Sequence, residues 1–326
     1  MVDNINMLKT NLNDSEKENI IKLAGLQKLH YKNQVSENDP IYYYETGTEL
    51  NLKGGMYIKI DIQNRLTVRG SLHKYASFLE TGYATNYGRF TMEQARITFF
   101  RFLINKGIEL DNLKIKTFEI GSNLVSSIHV IRFLTCMIAI GTEKYKKELM
   151  TDPNYRLKSC KTTEKSSNIR IVYKAYDKVF EMLEKRHKAT PSEKNILRIE
   201  TTFRKVNILA KEFFTEINLK AVQDDFFRRW DLLVFEPTIV APKGTHQSKI
   251  NLVTEIYKTT AKITLNKYQQ LFKDGKITAK MYRKTREFIN DWHVQKKVYK
   301  LGQSEIMPFW ATAYNTEKEE LNKIYL

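Results

Sequence analysis

The segment from Asn168 to Phe203 holds the residue types that most directly suggest chemistry. It reads NIRIVYKAYDKVFE and then, after a polar loop, ILRIETTF, so it combines two tyrosines with carboxylates and several cations. A tyrosine hydroxyl that attacks a phosphodiester keeps the energy of the broken bond in a phosphotyrosine, which permits rejoining without ATP. The hydroxyl has an ordinary pKa of about 10, so a cation or metal ion must favour its phenolate. This segment therefore suggests covalent work on a phosphodiester.

Period-two alternation along two predicted strands brings these groups to one face. In the first strand Tyr173 falls on the apolar face, whereas Tyr176 falls on the face of the cations. If the strands are neighbours over one core, a phenol, a carboxylate and several cations converge. The alternative is that the tyrosines only pack, because strands favour tyrosine and the chain has 18 of them. The predicted polar face comprises Arg170, Lys174, Tyr176 and Lys178 on the first strand and Arg198, Glu200 and Thr202 on the second.

Composition predicts a folded protein with a polyanionic partner. The chain has 326 residues, 42% of them hydrophobic, which is enough for one large or two modest domains. Its formal charge of +17 favours association with polyanions, and nucleic acid is the first expectation. An anionic membrane surface is the competing partner, but no lysine tract adjoins an apolar helix. We expect no membrane association.

Cysteine content and the apolar segments predict a cytoplasmic protein. Only Cys136 and Cys160 are present, so neither a disulfide framework nor a thiolate zinc cluster is expected. The first twenty residues lack the basic start and apolar run of a signal peptide. The most apolar stretch, Leu124 to Gly141, is short for a bilayer and is interrupted by charge, so it predicts a buried amphipathic helix.

The first two thirds of the chain predict an α+β domain with a mainly antiparallel sheet and helices on one face. Residues 1–40 are predicted to form a polar leader, and 41–205 the domain. Its clearest helix is Met92 to Lys106, capped by Thr91 and ended by Gly107. The predicted strands lie near Ile41 to Leu52, Met56 to Ile62 and Leu66 to Gly70, in LKIKTFEIGSNL, and in the two segments that begin near Asn168 and Ile196.

Residues 206–326 predict a basic, all-helical region. FFRRWDLLVF and the long stretch after it are predicted to be helices, and aromatic residues are interleaved with the cations of the latter. The pair of helices from Leu265 to Trp292 has two interpretations, a helix-turn-helix reader of DNA or an ordinary hairpin with a solvated basic face. In the first interpretation, the second helix presents Lys280, Arg283, Lys284 and Arg286.

Four segments, in this order, resemble the replication initiators of the filamentous-phage gene II/X family and, more distantly, the trans-acting rolling-circle initiators of staphylococcal plasmids. They are RLTVRGSLHKY, FEIGSNL, IVYKAYDKVFE and LRIETTF, spanning about Leu66 to Phe203. The resemblance implies a Rep-type endonuclease domain that nicks one strand of an origin, with double-stranded supercoiled and single-stranded origin DNA as its partners. The enzyme stays joined to the 5′ phosphate and leaves a 3′ hydroxyl for a host polymerase, while a host helicase unwinds the DNA.

The resemblance also implies roles for individual residues. The Tyr-Asp-Lys motif makes Tyr176 the nucleophile and Lys178 its partner, with Tyr173 as a second candidate. Glu200 and Glu119 become ligands of Mg²⁺ or Mn²⁺, and Glu181 is either a third ligand or a first-turn helix acid. The His-hydrophobic-His metal motif of many such initiators is missing from the sequence. Glu119 also shares its strand parity with apolar residues, so its role requires a bulge near Phe118.

Two other functions compete with this interpretation. A non-catalytic, sequence-specific DNA-binding protein explains the charge equally well, but it leaves unexplained a carboxylate among the cations. A tyrosine recombinase is suggested by His129 and Arg132, which are spaced as in that family's His-x-x-Arg motif. Both residues fall within the predicted apolar helix, which argues against the recombinase.

Overall fold

A single large antiparallel sheet organises the protein. In this computed structural model the described residues are 1–30, 42–49, 54, 56–142, 146–154, 156–164, 167–184 and 195–323. The strands are β1 (Val2–Lys9), β2 (Leu26–His30), β3 (Tyr42–Thr46), β4 (Tyr57–Ile60), β5 (Leu66–Ser71), β6 (Lys114–Val125), β7 (Met137–Ile140), β8 (Lys147–Glu148), β9 (Met150–Asp152), β10 (Leu157–Thr163), β11 (Arg170–Asp177), β12 (Ile196–Leu209), β13 (Leu233–Phe235), β14 (Thr238–Val240) and β15 (Lys300–Gly302).

Helices occur between the strands of the first part and predominate in the last third. They are α1 (Asp14–Ala24), α2 (Leu72–Thr81), α3 (Met92–Lys106), α4 (Val130–Cys136), α5 (Lys178–Glu184), α6 (Ala210–Phe213), α7 (Glu216–Trp230), α8 (Gln247–Lys258), α9 (Ala261–Lys273), α10 (Ala279–Asn290), α11 (Trp292–Val298) and α12 (Met307–Asn322).

The large sheet has ten strands in the order β2-β3-β4-β5-β1-β6-β12-β11-β10-β9. Its neighbouring strands are antiparallel, which confirms the predicted α+β class with a mainly antiparallel sheet. Two short sheets accompany it, β13-β7-β8 and β14-β15. The strands that carry the predicted site, β6, β12 and β11, are neighbours within the large sheet.

The large sheet has a core face and an open face. The core face carries apolar side chains such as Phe118, Ile199 and Phe203, and helices pack on it. The ring of Phe118 stacks on Phe203 at 4.7 Å, and the indole of Trp230 in α7 donates a 3.0 Å hydrogen bond to Thr201. The open face carries the side chains that alternate with these, among them Asn4, Asn6, Glu119, Lys174 and Glu200.

Capping residues set the limits of the best-predicted helix. Helix α3 spans Met92–Lys106, the bounds predicted from the sequence. The Thr91 side chain accepts from the backbone N–H of Gln94, whose own side chain accepts from the Thr91 N–H, and Gly107 ends the helix at a φ of 65°. Reciprocal capping and a left-handed glycine satisfy backbone groups that the helix leaves unpaired.

Two predictions on secondary structure are wrong. The helix expected from Leu124 to Gly141 is instead the end of β6, the seven-residue helix α4 and strand β7. An apolar run without polar alternation does not distinguish a buried strand from a buried helix. FFRRWDLLVF is likewise divided, because α7 ends at Trp230 and Leu233–Phe235 form a strand.

The predicted domain limits also differ from the structure. The sequence predicts a polar leader over residues 1–40, but β1 lies in the sheet between β5 and β6. It predicts an all-helical region over residues 206–326, but α6, α7 and α12 contribute Phe213, Trp230 and Tyr314 to the main core, and β13, β14 and β15 lie in the described part of this region. Burial of apolar side chains joins both ends of the chain to the sheet.

Helices α8, α9 and α10 share a small core of their own. Leu252, Ile256 and Ile289 are buried together, and Tyr268 and Phe288 pack against them. Thr278 caps α10 as predicted, since its hydroxyl accepts from the Met281 N–H at 3.2 Å. Among the residues that the structure describes, no helix is both long and apolar enough to cross a membrane.

Candidate active site

Strand register brings the predicted tyrosine and glutamate together on the open face. Tyr176 lies opposite Arg198, and Lys174 lies opposite Glu200, in the antiparallel pair β11 and β12. The Tyr176 hydroxyl donates a 2.8 Å hydrogen bond to Glu200 Oε1. Tyr173 is buried on the core face and accepts from Arg229 at 3.3 Å, so the alternation predicted from the sequence is confirmed.

Glu200 is the centre of a buried hydrogen-bond network. Only 3% of the residue is exposed, and its carboxylate accepts from three side chains. Arg198 Nε donates at 3.0 Å and Lys174 Nζ at 2.9 Å, in addition to the bond from Tyr176. The sequence predicts Arg198 as a surface group for phosphate, but it is 3% exposed and its guanidinium instead holds carboxylates in place.

Glu119 joins this network from strand β6. Its carboxylate accepts from Lys174 Nζ at 2.7 Å, Thr202 Oγ1 at 2.8 Å and Asn4 Nδ2 at 2.6 Å. Its place on the open face depends on an irregularity in β6. Met7 of β1 pairs with Ile115, but Asn6 pairs with Thr117, so one residue is skipped. The predicted bulge is present, two residues before Phe118.

Asp3 is the carboxylate that the sequence analysis missed. Val2 pairs with Ile120 and Ile5 with Phe118, so β1 contains one more residue than β6 between these pairs. Bulges of this kind re-aim side chains. The Asp3 carboxylate accepts from Arg198 Nη2 at 2.8 Å, from Asn86 Nδ2 at 2.9 Å and from the Ser71 hydroxyl. No sequence pattern pointed to Asp3, because its place depends on a pairing with strands far along the chain.

Gly121 leaves the space that the buried side chains occupy. It lies opposite Glu200 on β6. A Cβ atom at this position would lie 2.9 Å from Glu200 Cγ and 3.0 Å from Arg198 Nη2. Both distances are tighter than ordinary van der Waals contact, so any larger residue would displace the Glu200 and Arg198 pair.

Burial and neighbouring charges set the ionisation of the network. Burial alone would raise the pKa of Glu200, but the charges of Arg198 and Lys174 outweigh it and hold that pKa below its ordinary value. Burial, reinforced by the Glu200 charge, raises the pKa of the Tyr176 hydroxyl well above its usual range. Both shifts keep the proton on the phenol, which donates it in the 2.8 Å hydrogen bond to Glu200.

His73 and Lys178 lie close to this network. Burial lowers the pKa of His73 to about 3, although the Asp3 charge opposes it. Burial also lowers the pKa of Lys178, and Arg198 adds to the effect. The Lys178 ammonium lies 5.8 Å from the Tyr176 ring centroid and donates to Glu181 at 2.6 Å.

Three carboxylates form the potential metal site. Asp3, Glu119 and Glu200 each offer an oxygen atom, and these atoms lie within 4.8 Å of one another. Asp3 rather than Glu181 completes the group, since Glu181 lies in the first turn of α5 and pairs with Lys178. Carboxylate oxygens suit Mg²⁺ or Mn²⁺. The donor set therefore fits such an ion, with the Lys174 ammonium as an internal competitor between Glu119 and Glu200.

A pocket of about 400 Å³ adjoins the network beyond Arg198. It opens between the segment from Tyr87 to Phe90 and strand β6, and His73 and Asn123 contribute to its wall. The side chain of Asn123 donates to the backbone carbonyls of Asn86 and Tyr87 at 3.2 and 2.6 Å, which fixes that segment against the sheet.

The remaining predicted phosphate-binding residues lie apart from this network. Arg170 is exposed at the start of β11, on the open face by alternation. Lys280, Arg283 and Lys284 are exposed on α10, one of the three helices that share the small core. His129 and Arg132, which suggested a recombinase, lie at the start of α4, and Arg132 pairs with Glu305 at 3.1 Å.

Comparison with models of known protein families found none that matches this chain, and comparison with curated proteins found no match.

Proposed function

We propose that this protein is a rolling-circle replication initiator that nicks one strand of origin DNA through a phosphotyrosine at Tyr176. The 2.8 Å hydrogen bond from the Tyr176 hydroxyl to the buried Glu200 carboxylate carries the proposal. A strong nucleophile needs a base within hydrogen-bond distance, and the base needs groups that orient it. Glu200 meets both conditions, since Arg198 and Lys174 hold it in place.

In the proposed reaction the Tyr176 oxygen attacks the phosphorus atom while Glu200 takes the phenolic proton. A bond forms between the tyrosine oxygen and phosphorus, the bond from phosphorus to the 3′ oxygen breaks, and water protonates the departing oxygen. Lys174, with 28% of its side chain exposed, is the cation of the network that can reach the phosphate charge. The reverse reaction rejoins a strand, because the phosphotyrosine conserves the bond energy.

Asp3, Glu119 and Glu200 are the residues that would hold Mg²⁺ or Mn²⁺. When bound, such an ion supplies positive charge that stabilises a phosphate in its transition state. Lys174 contacts two of the three carboxylates, so we expect metal binding and the position of Lys174 to be linked.

The helices within residues 247–300, which we call the basic helical unit, support DNA as the partner. Residues 247–300 contain 13 Lys and Arg residues against 4 Asp and Glu residues. Lys280 and Lys284 line a groove of about 750 Å³ between α8 and α10, together with Tyr268 and Phe288. Lysines beside aromatic rings suit the phosphates and bases of nucleic acid. We therefore assign duplex DNA binding to this unit and cleavage to the sheet. A host helicase, a host polymerase and a cytoplasmic location belong to the same proposal.

A second function is favoured by one observation. Lys174 and Arg198 already neutralise most of the charge of the three carboxylates, and the Tyr176 hydroxyl is engaged by Glu200. A network satisfied in this way also suits a scaffold. The protein would then bind origin or operator DNA without cleaving it.

Nicking of supercoiled DNA that carries the protein's own replication locus separates the two functions. The purified protein is incubated with this DNA and with Mg²⁺, Mn²⁺ or a chelator, and the products are resolved after denaturation. The initiator predicts a nicked circle with protein attached to its 5′ end, and the chelator should abolish it. Tight binding with no nicked product in either metal would favour the non-catalytic protein.

A further inference from the structure

The open face continues past the three carboxylates to a row of residues on six neighbouring strands. Strand pairing joins Tyr57 to Arg69, Arg69 to Asn6 and Asn6 to Thr117. It then joins Thr117 to Arg204 and Arg204 to Arg170. Asn6 lies two residues from Asn4, which contacts Glu119, so the row runs about 7 Å from Glu119, whereas Arg204 lies four residues from Glu200 on β12. We call these six residues the basic row.

The arginines of the basic row are exposed and lack ionic partners among the described residues. Arg69, Arg170 and Arg204 are all exposed, and no ion pair is found for them in the described parts of the chain. Arg170 lies directly opposite Arg204. Like charges in this arrangement destabilise a sheet. An anion held between the two guanidinium groups would remove that cost, and this points to a phosphate.

The other end of the row offers a flat surface for stacking. The Arg69 guanidinium lies 4.3 Å from the centroid of the Tyr57 ring. The Tyr57 hydroxyl donates to Glu45 Oε2 at 2.7 Å, which fixes the ring. Burial and Glu45 raise the pKa of Tyr57 to about 12, so this tyrosine stays neutral. Rings and guanidinium planes on sheet faces are the surfaces on which unpaired bases stack.

We propose that the basic row binds single-stranded DNA, with one base stacked on the Arg69 and Tyr57 pair and a phosphate between Arg170 and Arg204. This deepens the proposed function and rests on it for the identity of the nucleic acid. Single-stranded DNA is the occupant because stacking requires a base that is free of its partner strand. The row would hold the strand beside Glu119, on the same face of the sheet as Tyr176, which lies six residues, or about 20 Å, from Arg170 along β11.

The stacking end is tested by fluorescence anisotropy with a labelled oligothymidylate. All variants are made in full-length Tyr176→Phe protein without metal, so cleavage cannot affect the result. Arg69→Gln combined with Tyr57→Leu should lower affinity about 5- to 100-fold, the range expected when one base no longer stacks. Tyr57→Phe keeps the ring but removes its hydroxyl bond to Glu45, so it should lose less affinity than the double variant. Tyr83→Leu removes an exposed tyrosine outside the strands and should also have no effect.

The phosphate end is tested with Arg170→Gln combined with Arg204→Gln. Relief of repulsion between the two arginines should raise the melting temperature of the free protein. For single-strand binding, the slope of the logarithm of the binding constant against the logarithm of the salt concentration should become shallower by about 0.7 for each phosphate that is no longer neutralised. Higher stability with weaker binding would support the proposal, and unchanged oligothymidylate affinity in both double variants would overturn it.

The same anisotropy measurement with a labelled blunt duplex tests whether the row binds single-stranded or double-stranded DNA. If the Arg69→Gln and Tyr57→Leu protein loses as much affinity for a blunt duplex as for the single strand, stacking of an unpaired base is excluded. Because the assay needs no cleavage, a protein that binds as predicted but never nicks would refute only the proposed initiator function.

Discussion

The carboxylate network and the basic helical unit differ in how they hold their charges. In the network, Glu200 and Arg198 are each 3% exposed and pair with each other. In the helical unit, Arg283 and Glu287 approach only to 3.9 Å, with side chains 72% and 66% exposed. Buried pairs fix geometry at a high cost if one partner is removed, whereas exposed cations contribute long-range attraction that salt screens. The first arrangement suits chemistry and the second suits binding.

The largest difference should appear when one acid is neutralised in each region. Glu200→Gln leaves Arg198 and Lys174 without their shared carboxylate, so the free energy of unfolding should fall by about 3 to 5 kcal/mol. Glu255→Gln breaks a pair with Lys267, in which the Lys267 side chain is 56% exposed and that of Glu255 is 24% exposed, and should cost below about 1 kcal/mol. Urea denaturation of both variants measures these values, and equal losses would contradict the distinction between the two regions.

Acid should destabilise the protein through His73. Its folded-state pKa of about 3 lies below the ordinary 6.5, so between these values the unfolded chain binds a proton that the folded protein does not. Stability from this residue is therefore complete above pH 6.5 and is lost as pH falls toward 3, by a few kcal/mol.

The comparison uses His73→Phe, which preserves the stacking of the ring on Phe90 at 4.5 Å. This variant should lose less stability between neutral and acid pH than the wild type in urea titrations. His129→Gln replaces an exposed histidine, and the stability of this control variant in urea should change with pH as that of the wild type does. Parallel curves for wild type and His73→Phe would refute the assignment.

A smaller effect is expected from the exposed cations of α10. Replacing Lys280, Arg283 and Lys284 by Gln should weaken duplex binding. The slope of the logarithm of the binding constant against the logarithm of the salt concentration should become shallower by about 0.9 for each phosphate that the helix no longer neutralises. The rate of nicking at saturating DNA should not change, because these residues lie outside the network. A lower rate at saturation would show that the two regions are not independent.

The sequence predicts those features that depend on local patterns. Capping residues define the limits of α3, and alternation gives the opposite orientations of Tyr173 and Tyr176. The place of Asp3 could not be predicted, because it requires β1 to pair between β5 and β6 and to bulge there. The prediction for the apolar run after Leu124 is wrong because hydrophobicity alone fits a strand or a helix.

The identity of the residue joined to DNA tests the central claim most directly. The denatured covalent complex is digested with nuclease and protease, and mass spectrometry locates the peptide that carries the nucleotide. We predict a phosphodiester on the tyrosine of the peptide that contains Tyr176, and no adduct with Tyr176→Phe. An adduct on another residue, or one that persists in Tyr176→Phe, would contradict the assignment of Tyr176 and Glu200 as nucleophile and base.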